Sequence, residues 1–218
     1  MPHQSEQEAV IDLSLYVIVD PEIEVSIPLE RFIEEVYEGG ATALQVRYKQ
    51  TSTRLLLDFS RRVLARARSL GLPVIVNDRL DVALAAGAQG VHLGQDDLPI
   101  REARQIAPVD FIIGASVRNV DEARAAHLAG ADYLGVGPIF ASPTKPDLDP
   151  IGPEQIARIS LEISLPIVAI GGINETNAAL AVTKGADGVA VVSALRQCES
   201  PKTIAARIRA AVDKAKKG

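Results

Sequence analysis

The sequence predicts a single (βα)8 barrel. Short apolar runs alternate with amphipathic stretches along all 218 residues. A Gly-Ala pair recurs at 40–41, 87–88, 130–131 and 185–186, each time just before every second run. Aliphatic residues and glycine carry the apolar share: 47% of residues are hydrophobic, 4% are aromatic and none is Trp. That balance suits parallel strands covered by helices. The length allows one sizeable core. Residues 13–218 are assigned to it, with 1–12 expected to form a flexible lead segment and 214–218 to fray.

The eight runs are LYVIVD (15–20), ALQVR (43–47), PVIVND (73–78), GVHLG (90–94), FIIGAS (111–116), YLGVG (133–137), PIVAIGG (166–172) and GVAVVS (188–193). Their length and apolar character suit strands buried on both faces. The stretches at 53–70, 120–129 and 175–183 have helical periodicity and are long enough for crossover helices. The glycine of each Gly-Ala pair can end a helix in the left-handed conformation, and the small alanine lets the turn pack closely. Its recurrence in every second unit implies a barrel of quarter-turn units.

The second run carries the most informative polar residues. Side chains alternate along a strand, so Gln45, Arg47 and Lys49 share one face, and Val46 and Tyr48 the other. Two cations and an amide on an inner strand are costly to bury unless an anion meets them. These seven residues alone leave a wet edge strand open as the alternative. In a barrel, chemistry belongs at the C-terminal ends of the strands and in the loops that follow. The later runs place Asn77 and Asp78 after strand three, Gln95, Asp96 and Asp97 after strand four, and Ser116 after strand five. Ser142, Thr144 and Lys145 follow strand six, Gly171 and Gly172 strand seven, and Val192 and Ser193 strand eight.

Asp78 and Asp97 lie beyond neighbouring strands and face the basic cluster. Carboxylates, waters and substrate phosphate oxygens together hold Mg²⁺, and no Cys/His cluster competes for zinc. Taken singly, each carboxylate reads as a helix cap, Asp78 ahead of Arg79 and Asp97 ahead of Pro99. Taken together beside Arg47 and Lys49, they read as metal ligands. Gly171-Gly172 and Val192-Ser193 each end a strand and are expected to open a helix, where backbone N–H groups hold phosphate. The loop at 138–153 carries Ser142, Thr144 and Lys145 among prolines and reads as an anion-binding lid.

His92, inside a strand, reads as a satisfied core side chain, His127 as solvated and Cys198 as a small packing residue. No Ser-His-Asp or Cys-His set is apparent. Cations, Mg²⁺ and two anion cradles without a nucleophile suit the departure of a diphosphate.

Composition narrows the partners. A net charge of −5 gives no bulk reason to expect nucleic acid. One cysteine excludes an internal disulfide framework. No apolar run approaches the roughly 18 residues of a membrane helix, and the N-terminus lacks an apolar signal core. The expectation is a soluble cytoplasmic protein, with a homodimer permitted.

These motifs resemble the thiamine-phosphate synthase family. The matching segments are Gln45-Val-Arg47-Tyr-Lys49, Asn77-Asp78-Arg79, His92-Leu-Gly-Gln-Asp-Asp97, Gly114-Ala-Ser116, Gly135 to Lys145, Ile170-Gly-Gly-Ile173 and Val191-Val192-Ser193. The family condenses 4-amino-2-methyl-5-(diphosphooxymethyl)pyrimidine with 4-methyl-5-(2-phosphooxyethyl)thiazole, giving thiamine monophosphate and diphosphate. The resemblance implies that Gln45, Arg47, Lys49, Asn77, Ser116 and Lys145 bind the pyrimidine diphosphate, with Arg47, Lys49, Ser116 and Lys145 catalytic. It implies Mg²⁺ on Asp78 and Asp97, and the thiazole phosphate on 142–144, Gly172, Val192 and Ser193. One departure is Ala141-Ser142, where the family often has Pro-Thr; serine keeps the hydroxyl. The rival is a TenI-type thiazole tautomerase, which would lack the metal and diphosphate residues and carry a histidine after the strand-five serine. Here that segment reads Ser116-Val-Arg118.

Overall fold

A computed structural model describes residues 11–141, 148–196, 198 and 200–217. The eight expected runs all form strands: β1 (Leu15–Val19), β2 (Ala43–Val46), β3 (Val74–Asn77), β4 (Gly90–Leu93), β5 (Ile112–Val117), β6 (Tyr133–Val136), β7 (Ile167–Ile170) and β8 (Gly188–Val191). Each pairs in parallel with its chain neighbours, and β1 pairs with β8, so the sheet closes into a barrel. Closure leaves no edge strand, which excludes the wet-edge reading of 43–49. The strand itself is shorter than expected. β2 stops at Val46, and Arg47 to Lys49 continue as a loop, although the Arg47 N–H still bonds the Val19 carbonyl at 2.9 Å.

The helices are α1 (Leu29–Glu38), α2 (Thr53–Ser69), α3 (Leu80–Ala86), α4 (Ile100–Ile106), α5 (Val120–Ala129), α6 (Glu154–Ser160), α7 (Ala178–Thr183), α8 (Ser193–Arg196) and α9 (Pro201–Ala215). Their apolar stripes face the strands. In α1 the buried set is Leu29, Phe32, Ile33 and Val36, the i, i+3, i+4, i+7 spacing of one helix face. Side-chain caps start α2 and α5: Ser52 accepts the Leu55 N–H ahead of α2, and Asn119 accepts the Glu122 N–H ahead of α5. The main core lies between strands and helices. A second cluster, with Tyr16, Ile18, Ile75, Tyr133 and Val168, fills the barrel interior.

The quarter-turn repeat is real, and it extends one residue further than the sequence suggested. Gly40, Gly87, Gly130 and Gly185 all have φ between +72° and +104°, a region glycine enters without steric cost. The alanines that follow are buried. The third residue of each repeat reaches across to the preceding strand. Thr42 Oγ1, Gln89 Oε1, Asp132 Oδ2 and Asp187 Oδ2 accept the N–H groups of Leu15, Val74, Ile113 and Ile167 at 2.7–3.0 Å. Their own N–H groups donate back to the carbonyls of the same four residues. Four otherwise unpaired strand starts are thereby satisfied at the closed end of the barrel.

That end also takes in parts of both termini. Ile11 is buried, and Asp12 accepts the Ser14 N–H at 2.9 Å. α9 continues through Ala215, and Lys216 Nζ donates to Ser14 Oγ at 2.7 Å. Residues 11–12 thus pack at the barrel bottom, and α9, which lies against α1 and α7, brings Lys216 to the same end. Residues 1–10 and 218 lie outside the described set.

Candidate active site

The opposite end of the barrel holds a cavity of about 390 Å³, within the range of small-molecule sites. Gln45, Arg47 and Lys49 line it from β2 and its loop, as do Asn77 and Asp78 after β3 and Asp97 after β4. Ser116 on β5, Gly172 after β7, and Val192 and Ser193 after β8 complete that wall. Ser142, Thr144 and Lys145, also expected here, lie outside the described residues.

Local geometry decides what the two carboxylates do. Asp78 sits at φ +66°, a left-handed position that costs a non-glycine residue energy and clusters at functional sites. Its N–H bonds the His92 carbonyl at 2.8 Å, and its carboxylate pairs with the Lys49 ammonium. It does not cap α3, which starts after Arg79 without a side-chain cap. Asp97 does not cap α4 either; its Oδ2 accepts the Gly94 N–H at 2.7 Å. The capping alternatives therefore fall. Burial pushes the Asp97 carboxyl above its usual range. The Gly94 bond pulls the other way, and the adjacent Asp78 carboxylate adds to the rise. Two neighbouring hard-oxygen carboxylates fit a divalent cation completed by water and substrate oxygens. Among the described residues, no set of three or more His, Cys, Asp and Glu side chains forms an all-protein metal cage, so such an ion would need those outside ligands.

Part of the remaining wall is polar and uncharged. Gln45 is 4% exposed, and its Nε2 donates to Tyr16 Oη at 3.0 Å. Ser116 Oγ lies 2.9 Å from His92 Nε2, and Gln95 Nε2 donates to the Ser116 carbonyl at 2.6 Å. His92 is buried and bonded, as expected of a core histidine, yet it also borders the cavity. His127 is exposed on α5. Cys198 is half-buried, its thiol donating to the Leu195 carbonyl at 3.4 Å, and burial pushes that thiol up.

One cradle differs from expectation. Gly171 and Gly172 do not open a helix: a turn follows, Asn177 Nδ2 holds the Gly172 carbonyl at 2.9 Å, and α7 begins only at Ala178. Close packing explains the glycines. A Cβ on Gly172 would strike the Ala141 carbonyl and Phe140. Ser193, in contrast, does start the short α8.

The sequence reading did not place Arg118 and Glu122 in the cavity wall. The Arg118 N–H bonds Glu122 Oε2 at 2.8 Å, and its Nη2 bonds the Asp149 carbonyl at 3.0 Å. Their signal was position: β5 runs to Val117, so Arg118 directly follows a strand end and Glu122 lies in the first turn of the next helix.

Fold and site together define a (βα)8-barrel enzyme whose mouth gathers cations, paired carboxylates and glycine-bearing loops around one cavity. Residues 15–195 match the thiamine monophosphate synthase family model. The chain is 46% identical over 204 residues to the thiamine-phosphate synthase of Chloroflexus aurantiacus, covering 93% of this chain and 94% of that protein. It is 43% identical to the thiamine-phosphate synthase of Moorella thermoacetica, covering 93% and 97%. The solved thiamine phosphate pyrophosphorylase of Pyrococcus furiosus superposes with a TM-score of 0.86 at 39% identity, covering 95% of this chain and 99% of that one. The chain belongs to the thiamine monophosphate synthase family. No helix among the described residues is long and apolar enough to cross a membrane.

Proposed function

We propose that this enzyme joins 4-amino-2-methyl-5-(diphosphooxymethyl)pyrimidine to 4-methyl-5-(2-phosphooxyethyl)thiazole, releasing diphosphate and forming thiamine monophosphate. One observation carries the residue assignment. The diphosphate-type residues of β2 and the loop after it, the two carboxylates and the glycine-bearing loops converge on one cavity in a chain of this family. Gln45, Asn77 and Ser116 receive the pyrimidine, and Arg47 and Lys49 its diphosphate. Gly172, Val192 and Ser193 receive the thiazole phosphate. Ser142, Thr144 and Lys145 serve the same two groups.

The reaction breaks the bond between the methylene carbon and the diphosphate oxygen, and the electron pair leaves with that oxygen. The lone pair of the thiazole nitrogen forms the new carbon–nitrogen bond. No proton moves in that step, so it requires no general base. Arg47 and Lys49 stabilise the negative charge that develops on the leaving group. Asp78 and Asp97 would hold Mg²⁺, which supplies Lewis-acid stabilisation of the same charge. Burial of Gln45 and His92 excludes water from beneath the pyrimidine. The tautomerase alternative finds Arg118, tied to the Asp149 carbonyl, where it needs a histidine.

A cytoplasmic location belongs to the same reading. So does a homodimer, for which the exposed Leu128 and Leu161 offer apolar surface. The test of the function is product analysis with both substrates, with and without Mg²⁺. Thiamine monophosphate is expected only with the metal present. A folded enzyme that made none under either condition would overturn the assignment.

A further inference from the structure

A chain of hydrogen bonds crosses the barrel interior beneath the cavity. It begins at Gln45 Nε2, passes through Tyr16 Oη and Tyr133 Oη at 3.0 Å each, reaches His92 Nδ1 at 3.0 Å, and leaves His92 Nε2 for Ser116 Oγ at 2.9 Å. Both ends face the cavity, on β2 and β5; neither tyrosine does. Aliphatic side chains normally fill a barrel here. A buried polar chain is costly unless every member is satisfied, so this one calls for an explanation beyond filling space.

The barrel is shaped to admit it. A Cβ on Gly114 would strike the Tyr133 hydroxyl end and His92 Nδ1, and one on Gly135 would lie 2.9 Å from His92 Cε1. Two glycines thus open the niche in which Tyr133 and His92 meet. The Tyr16 and Tyr133 rings pack edge to face, 6.1 Å apart. Burial pushes both phenols well above their ordinary value, so each keeps its hydrogen.

That hydrogen count orders the chain. Tyr16 accepts from Gln45 and must donate to Tyr133. Tyr133 then donates to His92 Nδ1, which leaves the hydrogen on Nε2 to donate to Ser116. Ser116 has its own hydroxyl hydrogen left for a ligand, and Gln45 has its carbonyl oxygen. We propose that Tyr16, Tyr133 and His92 are positioning residues whose ordered hydrogens make Gln45 an acceptor and Ser116 a donor toward the bound ring. The site thereby selects a heteroaromatic ring with an amino donor on one edge and a ring-nitrogen acceptor on the other. This rests on the proposed function, in which the 4-aminopyrimidine is that ring. Accepting from the amino group also increases its electron release, which stabilises the cation on the methylene as diphosphate departs.

Two experiments test the inference. The first is ¹⁵N NMR of histidine-labelled wild-type protein without substrate. His92 is expected neutral with its proton on Nε2. A proton on Nδ1, or an imidazolium, would overturn the ordering whether or not the enzyme turns over. The second compares inhibition by two unreactive pyrimidine diphosphate mimics, with carbon in place of the leaving oxygen: one with the 4-amino group, one without. Wild type should prefer the amino compound. Tyr16→Phe and Tyr133→Phe should narrow that preference about tenfold, the size of one ordered hydrogen bond, with the KM for the thiazole phosphate unchanged. An unchanged preference would assign the tyrosines to packing alone. Absence of thiamine monophosphate from wild type would instead defeat the functional reading, while the tautomer result would still stand.

Discussion

Both ends of this barrel carry polar side chains, and they behave in opposite ways. At the bottom, each polar side chain of the repeat closes on the backbone: Thr42, Gln89, Asp132 and Asp187 bond a strand N–H group. At the mouth, Arg47, Lys49, Asp78 and Asp97 face a cavity, and Asp78 holds a backbone conformation that few non-glycine residues adopt. Satisfied polarity at one end holds the fold together. Polarity directed into a cavity at the other end is what the fold supports. Stability and activity should therefore separate by end.

Lys49→Ala tests the mouth and should have the largest effect. Its ammonium pairs with Asp78 on a half-exposed site, so its removal should leave the melting temperature within about a degree. Turnover should fall roughly 10²–10³-fold, as when one group that stabilises transition-state charge is deleted. A matching loss of stability would erase the contrast.

Asp132→Ala makes the reverse test. Asp132 Oδ2 accepts from both the Ile113 N–H and Arg104 Nη2. Deleting it leaves a buried strand donor unpaired, at a cost of about 1–3 kcal/mol. Urea denaturation should show that loss, while turnover per folded molecule stays at the wild-type value. Reduced turnover in fully folded protein would mean that the bottom also tunes the site.

Much of this contrast was readable from sequence, for definite reasons. Strand alternation placed Gln45, Arg47 and Lys49 together, and the recurring Gly-Ala pair set the phase of the barrel. The third residue of the repeat escaped notice because Thr, Gln and Asp look unrelated. They share only an oxygen within reach of a neighbouring strand, and reach is a property of the closed barrel. The glycines after β7 also carried a wrong local meaning. Their spacing matched a helix start, whereas their actual constraint is the chain at Phe140 and Ala141 lying against them. Tyr16 and Tyr133 are 117 positions apart, and nothing short of the folded barrel brings them into contact.

Asp78→Asn sharpens the role assigned to the mouth carboxylates. It keeps the shape of the side chain and removes its charge. The Mg²⁺ concentration for half-maximal turnover should rise about tenfold, as for the loss of one supporting ligand interaction, with turnover recovering at high Mg²⁺. An unchanged Mg²⁺ requirement would remove Asp78 from the metal site.

The smallest expected effect compares two carboxylates of opposite sign. Burial raises the Asp12 carboxyl at the bottom, but bonds from Ser14 and the charges of Arg209 and Lys216 outweigh it, and the net shift is downward. A carboxyl lowered in the folded state stabilises the protein above its unfolded value, and that stability is lost as pH falls through the folded value. Asp97 at the mouth is shifted upward, so its ionisation opposes folding as pH rises. Asp12→Asn should therefore cost less than about 1 kcal/mol at pH 7, given its exposure to solvent. The cost should shrink as pH falls below about 4, the ordinary carboxylate value, and vanish once pH is below the lowered folded value. Urea titrations of both proteins at neutral and acid pH measure it. A difference that persisted unchanged at acid pH would show that shape, not charge, holds the bottom closed at this point.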